Sequence, residues 1–181
     1  GSFEMKADRP DLTSSRLRLR LPSLSDVRRL TELVSTEYIC VMSRLPYPYR
    51  RKDALKWVNE ARKELLSVGI VYYVVVNKET NEIIGTASAV VQYGSWTAEM
   101  GYWIGEDYWG NGYATEAAEL LLQYLFETLH LKRVYSNAAV ENLASRRVLT
   151  KIGMQEETVL LNEKDLYGRV MDTCVYGIEK D

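Results

Sequence analysis

A chain of 181 residues with 46% hydrophobic and 27% charged residues has the length and composition of a globular protein with a core of its own. A formal net charge of −2 and a pI near 5.6 remove the basic excess expected of a nucleic-acid module. No apolar run approaches bilayer length, and one histidine with two cysteines, Cys40 and Cys174, gives neither a metal-ligand pattern nor a disulfide framework. The expectation is a metal-free cytoplasmic protein of one domain, without repeats, linkers or a signal peptide. Gly1-Ser2 reads as a cloning scar, and residues 1–11 are expected to be flexible.

Residues 12–21 alternate from Arg16 onward and predict a strand whose polar face carries Arg16, Arg18 and Arg20, either an anion patch or a solvated, salt-bridged face. Pro22 ends it, and Ser23 or Ser25 can cap a helix to about Thr36. Residues 38–51 hold Pro46 and Pro48 and read as a stiff, irregular connection that fixes Tyr47 and Tyr49 near a surface. A second helix is expected from Lys52 to about Ser67, with Ala54, Trp57, Val58, Ala61, Leu65 and Leu66 inward and Gly69 closing it. Residues 71–77 and 83–92 form a hairpin around 78–81, the first strand apolar enough to be buried on both faces.

The chain is organised around the next stretch. Residues 97–104 alternate and end in Tyr102, Trp103 and Ile104, a strand signal. Gly110 and Gly112 then give a tight turn, and a helix runs from Tyr113 to Leu129 with Ala117, Leu120, Leu121, Tyr124 and Thr128 on one face. A glycine turn feeding a helix start gathers free amides at the positive end of the helix dipole, which suits phosphate. It is no Walker loop, because Tyr113 and Ala114 follow Gly112 where Lys and Ser/Thr are needed. A dinucleotide fingerprint fails too, lacking its later acidic residue. A short strand at 133–137, a helix from Asn142 to Ile152 ended by Gly153, and two strands, 154–161 and 165–178, close the chain.

Taken together, Tyr102-Trp103-Ile104, the run Trp109-Gly110-Asn111-Gly112-Tyr113-Ala114-Thr115-Glu116-Ala117, Asn142-x-x-Ser145 and Lys151-Ile152-Gly153-Met154 resemble the GNAT superfamily of acetyl-CoA-dependent N-acetyltransferases. The closer resemblance is to its RimJ/RimL branch of ribosomal-protein N-terminal acetyltransferases. Trp109 replaces the usual Arg or Gln that opens the pyrophosphate motif. The resemblance implies an α/β (α+β) fold: a mixed, mostly antiparallel sheet with helices on both faces, in the order β-α-α-β-β-β-α-β-α-β-β. Homodimers are frequent in that family.

The same resemblance implies acetyl-CoA as cosubstrate. Its pyrophosphate would lie on the amides of Gly110, Asn111, Gly112, Tyr113, Ala114 and Thr115, with Trp103, Ile104, Trp109, Asn142 and Ser145 along the rest of the molecule. The region of Tyr47 and Tyr49 would border the acceptor groove. Glu99 sits in an otherwise uncharged strand, where a carboxylate must either be paired or line a wet cleft. In the family a carboxylate here draws the amine proton through water. Ser145 is either the proton donor to the leaving thiolate or a capping residue; a tyrosine seven residues after the motif Asn is replaced here by Leu149. Glu116 and His130 read as structural, helix-dipole and C-cap residues. The implied function is acetyl transfer to a primary amine, foremost a peptide or protein N-terminus. A small-amine enzyme and a catalytically silent acyl-CoA-binding module are the alternatives.

Overall fold

In the computed structural model, which describes residues 9–63 and 69–181, the chain builds one eight-stranded sheet with helices on both faces. Strand β1 (Leu12–Thr13) turns back through Ser14 and Ser15 into β2 (Leu17–Arg20). Three helices follow, α1 (Val27–Leu33), α2 (Glu37–Met42) and α3 (Arg51–Lys63). Strands β3 (Gly69–Asn77), β4 (Ile83–Gln92) and β5 (Thr97–Ile104) form an antiparallel meander, which leads into α4 (Tyr113–Glu127). Then come β6 (Arg133–Ala139), α5 (Leu143–Lys151), β7 (Gln155–Lys164) and β8 (Val170–Glu179). The sheet order is β1-β2-β3-β4-β5-β6-β8-β7, antiparallel except between β5 and β6, which α4 connects.

The nearly all-apolar β3 explains the layering. Val71, Tyr73 and Val75 point into a core shared with Ala117, Leu121 and Leu125 of α4 and Leu149 of α5. Val74 and Val76 point the opposite way, into a second core with Val27 and Leu30 of α1 and Ala54 and Val58 of α3. Each fully buried Leu or Val contributes roughly 1.5–3 kcal/mol, so the two cores clamp the sheet from both sides.

Several boundaries differ from the sequence reading, and the helix expected to reach about Thr36 ends at Leu33. The single strand expected at 12–21 is two strands, because the Ser14 amide donates to the Leu17 carbonyl at 2.9 Å and closes a turn. The stretch 38–51 is not wholly irregular: Thr36 accepts from the Ile39 amide at 3.2 Å and starts α2. Gly69 does not close a helix but begins β3; Leu65 and Leu66 lie outside the described residues. The last turn falls at Asp165–Arg169 rather than 162–164, because Asp165 accepts from the amides of Tyr167 and Arg169 and Gly168 supplies φ +80°. On α4 the buried stripe includes Ala118 and Leu125, while Thr128 is exposed at the C-cap.

Two of the three arginines on the β2 side are ion-paired. Arg20 makes a bidentate pair with the buried Asp26, 2.9 Å on each arm, and Asp26 also accepts from the Ser23 amide at 2.8 Å. Arg16 pairs with Glu116 of α4 at 2.7 Å. This is the salt-bridged alternative, not a free anion patch.

Candidate active site

Strands β5 and β6 are paired only where they begin, Thr97–Glu99 against Arg133–Tyr135. Beyond Glu99 a gap opens between them. The buried Ser136 hydroxyl reaches across it to donate to the Met100 carbonyl at 2.6 Å, and Trp109 Nε1 donates to the Ile104 carbonyl at 2.7 Å. Gly105 donates its N–H towards β4, to Ile84 at 2.8 Å. By strand alternation the amide of Ile104 therefore points the other way, into the gap. A cleft of about 600 Å³ fills this space, a size suited to a small-molecule ligand. Among the described residues its charged lining is Arg44, Glu99, Arg147 and Lys151.

Glu99 is half-buried on the cleft wall, with Asn137 Nδ2 at 3.5 Å. Among the described residues no Arg or Lys forms an ion pair with it, so the paired-carboxylate alternative is not what the geometry displays. The other end of the Asn137 amide, Oδ1, is buried with no partner among those residues. An unpaired buried carbonyl costs free energy unless a ligand or water meets it.

The turn between β5 and α4 is held open from outside. Gly110 and Gly112 have φ of +79° and +77°, the left-handed region that favours glycine. The Arg16 guanidinium braces the turn by donating to the Asn111 carbonyl at 2.8 Å and stacking 4.5 Å above the Tyr113 ring. Asn111 donates to the carbonyls of Tyr108 and Trp109 at 3.0 and 3.1 Å. Glu116 anchors Arg16 by accepting from its Nε and its backbone N–H, and also accepts from the Ser14 hydroxyl at 2.5 Å. Burial raises the Glu116 pKa, but these donors outweigh it and hold the carboxyl below its ordinary value. The carboxylate is structural, as its place at a helix start suggests.

On the opposite wall Asn142 caps α5, accepting from the Ser145 amide at 3.2 Å. The Ser145 hydroxyl lies 3.0 Å from the phenol of Tyr102 on β5. Burial pushes the Tyr102 pKa up to about 12, with the Ser145 bond opposing it, so the phenol keeps its proton through neutral pH. Leu149 is fully buried in the core.

Comparison with known proteins decides the family. A family model of the acetyltransferase (GNAT) domain matches residues 16–155. The chain belongs to the GNAT acetyltransferases, and is an N-acetyltransferase of that family. It is 29% identical over 173 residues to the uncharacterized N-acetyltransferase p20 of Bacillus licheniformis, spanning 93% of this chain and 96% of that one. It is 28% identical over 155 residues to the [ribosomal protein uS5]-alanine N-acetyltransferase of Escherichia coli, spanning 81% and 78%. Among solved structures, RimL, a ribosomal L7/L12 alpha-N-protein acetyltransferase in complex with coenzyme A, superposes with TM-score 0.80 at 21% identity, covering 95% of this chain and 99% of that one. The spermidine N-acetyltransferase of Vibrio cholerae, in complex with coenzyme A and spermine, gives TM-score 0.79 at 23% identity over 92% and 96%. The mixed, mostly antiparallel sheet is the GNAT fold.

In this GNAT protein the cleft brings together most of the residues singled out from sequence. Glu99, Trp103 and Ile104 line it from β5. Trp109, Gly110 and Gly112 line it from the turn, and Tyr113, Ala114 and Thr115 from the first turn of α4. Asn142 and Ser145 complete it from α5. Three residues fall outside the lining. Asn111 turns its side chain back onto the loop, and Tyr47 is 55% exposed away from the cleft. Tyr49 packs between the cores around Cys40 and Trp103, where burial raises its pKa strongly. The cleft wall expected from these tyrosines is supplied by α2 and the turn after it instead, through Tyr38, Ile39 and Met42 of the helix and Arg44 of the turn.

Sequence reasoning missed Tyr102, Asn137, Arg16 and Arg44 as contributors. Arg16 and Glu116 stand 100 positions apart, and no local pattern couples them. Arg147 and Lys151 had a legible signal, two cations four residues apart on the helix that Asn142 opens.

Proposed function

We propose that this GNAT enzyme transfers an acetyl group from acetyl-CoA directly to the α-amine of a peptide or protein N-terminus. One observation carries the reading: a cleft runs from Gly110 and residues 112–115 to a carboxylate, Glu99, that has no ion-pair partner among the described residues. The site fits the cosubstrate. A Cβ at Gly110 would stand in open space with nothing within 4 Å, leaving room for a pyrophosphate on amides at the positive end of α4. Bound acetyl-CoA supplies an activated carbonyl whose bond to sulfur breaks as the new C–N bond forms.

The chain's own residues then have three tasks. Glu99 accepts the proton that the amine loses, directly or through one water. The Ile104 N–H, aimed into the gap, meets the carbonyl oxygen as it gains charge. Ser145 delivers a proton to the leaving thiolate, with the Tyr102 phenol behind it to replace that proton. Arg147 and Lys151 suit the phosphates of coenzyme A. No side-chain nucleophile is needed.

The uS5-alanine relative supports an α-amine acceptor. With Arg147 and Lys151 given to the coenzyme A phosphates, Arg44 beside a single carboxylate, Glu99, weighs against a polycation such as spermidine. The test is calorimetry with acetyl-CoA, followed by thiol release over a panel of N-terminal peptides and polyamines. Saturable binding with turnover of peptides is expected; binding without turnover of any amine would reduce the protein to an acyl-CoA-binding module.

A further inference from the structure

Helix α2 lies along the cleft with its ends in different surroundings. Its start meets the glycine turn, where the Tyr38 ring packs edge-on against Trp109 with centroids 6.1 Å apart. Its end lies beside the β7–β8 turn, where Arg169 donates to the Leu45 carbonyl at 2.7 Å. Arg44 sits at that far end and lines the cleft. Glu99 is also remote from the glycine turn, near the beginning of the strand whose other end feeds it. Both charges line the cleft away from the glycine turn, the part left to the acceptor once the pyrophosphate takes that turn.

The backbone at Arg44 is unusual for an arginine. Leu45 N–H donates to the Cys40 carbonyl at 2.8 Å and Arg44 N–H to that of Val41 at 3.4 Å, the paired bonds of a Schellman close. Arg44 takes the left-handed position of that motif, φ +56°, where glycine is usual. A six-residue helix offers little dipole to hold the charge. Arg44 is a half-buried residue, and its guanidinium has no carboxylate, carbonyl or ring partner among the described residues. Neither capping nor ion pairing accounts for an arginine here.

We infer that Arg44 binds a carboxylate carried by the acceptor a few bonds from its amine, which makes a peptide with Asp or Glu in its first two residues the substrate class. The inference rests on the amine-acetylating reading above. A planar guanidinium can take a carboxylate with two parallel hydrogen bonds while Glu99 takes the ammonium end and its proton.

The test measures kcat/KM for peptides that begin Ala-Glu, Ala-Gln and Ala-Lys, for free glutamate and for spermidine, with the wild type, Arg44→Gly, Arg44→Lys and Arg44→Glu. The wild type should favour Ala-Glu over Ala-Gln by roughly 10–100-fold, mostly through KM. Arg44→Gly should abolish that preference without lowering the melting temperature, since glycine suits the backbone. Arg44→Lys should restore part of it, and Arg44→Glu should turn the preference towards Ala-Lys. Equal rates on Ala-Glu and Ala-Gln, or a preference that survives Arg44→Gly, would overturn the inference and leave peptide acetylation standing. Turnover of free glutamate alone, lost in Arg44→Gly, would uphold the carboxylate contact and overturn the peptide acceptor. Turnover of none of the amines would remove both.

Discussion

Glu99 and Ser145 lie on different walls of one cleft, and their neighbours separate catalytic from structural roles. Among the described residues only the amide of Asn137 comes within hydrogen-bond reach of Glu99, at 3.5 Å, so Glu99→Gln should fold normally and keep its affinity for acetyl-CoA. Its kcat should fall by roughly 100-fold, with the loss narrowing as pH rises towards about 8, where a free α-amine deprotonates unaided. A Glu99→Gln enzyme with wild-type kcat and an unchanged pH–rate profile would transfer the base role elsewhere. Ser145 is harder to isolate, because its amide serves the α5 cap while its hydroxyl meets Tyr102 at 3.0 Å. Tyr102→Phe leaves the cap intact and removes the phenol hydroxyl, with its contact to the Ser145 hydroxyl and its 3.3 Å bond to the Ser145 carbonyl. It should lower kcat about 10-fold, with KM for acetyl-CoA nearly unchanged. A drop in melting temperature without a change in kcat would leave Tyr102 as a packing residue. The Asn142-x-x-Ser145 motif exposed one half of this pair in the sequence. Its partner stands 43 positions away, in the Tyr102-Trp103-Ile104 run, where nothing in the sequence couples that tyrosine to Ser145.

At the scale of elements, the strand–glycine turn–helix unit was legible because its signals are local: alternation in 97–104, two glycines, then fifteen helical residues without Gly or Pro. Helix α2 was not, since six residues between a helix and two prolines give too short a period, and only the Thr36 cap marks its start. The opening between β5 and β6 was equally hidden, because where two strands stop pairing depends on what lies between them. The turn itself invites a direct test. Gly112 sits at φ +77°, and a Cβ there would find ordinary space, 3.5 Å from the Arg16 guanidinium. Gly112→Ala therefore tests conformation rather than bulk. Forcing alanine into the left-handed region costs about 1–2 kcal/mol, and each kcal/mol lowers the melting temperature of a chain this size by about 2–4 °C. Because the turn presents the amides, the Kd for acetyl-CoA should rise about 10-fold. Arg16→Ala should weaken coenzyme A binding as well, through the unbraced Asn111 carbonyl and the freed Glu116. If calorimetry returned wild-type affinity for both variants, the pyrophosphate would have to sit elsewhere.

For the whole molecule, the sheet stands between two cores, and the helices of the α1/α3 layer approach it through Asp26 just before α1. Asp26 is almost fully buried, and burial alone would raise its pKa. The bidentate bond from Arg20 and the amide of Ser23 overcome that cost and hold the carboxyl below its ordinary value of 3.8. A carboxylate with a folded pKa below its unfolded one contributes stability that is complete above the unfolded value, and loses it as pH falls through the folded one. The same sign holds for Glu116, so the native state should lose stability on acidification below about pH 4, at both the α1 layer and the glycine turn. Arg20 stays about one-third exposed, which tempers the pair. Asp26→Asn keeps the shape, loses the charge and leaves the guanidinium of Arg20 without its anion. It should cost about 2 kcal/mol at pH 7 by urea denaturation. The gap to wild type should then shrink as pH falls below about 4, because the unfolded carboxylate takes up a proton there while the native one, held below its ordinary value, gives up its charge only at lower pH. Parallel stability curves for the two proteins across that range would mean that the Asp26–Arg20 pair contributes shape alone, and that acid sensitivity arises at the glycine turn or elsewhere.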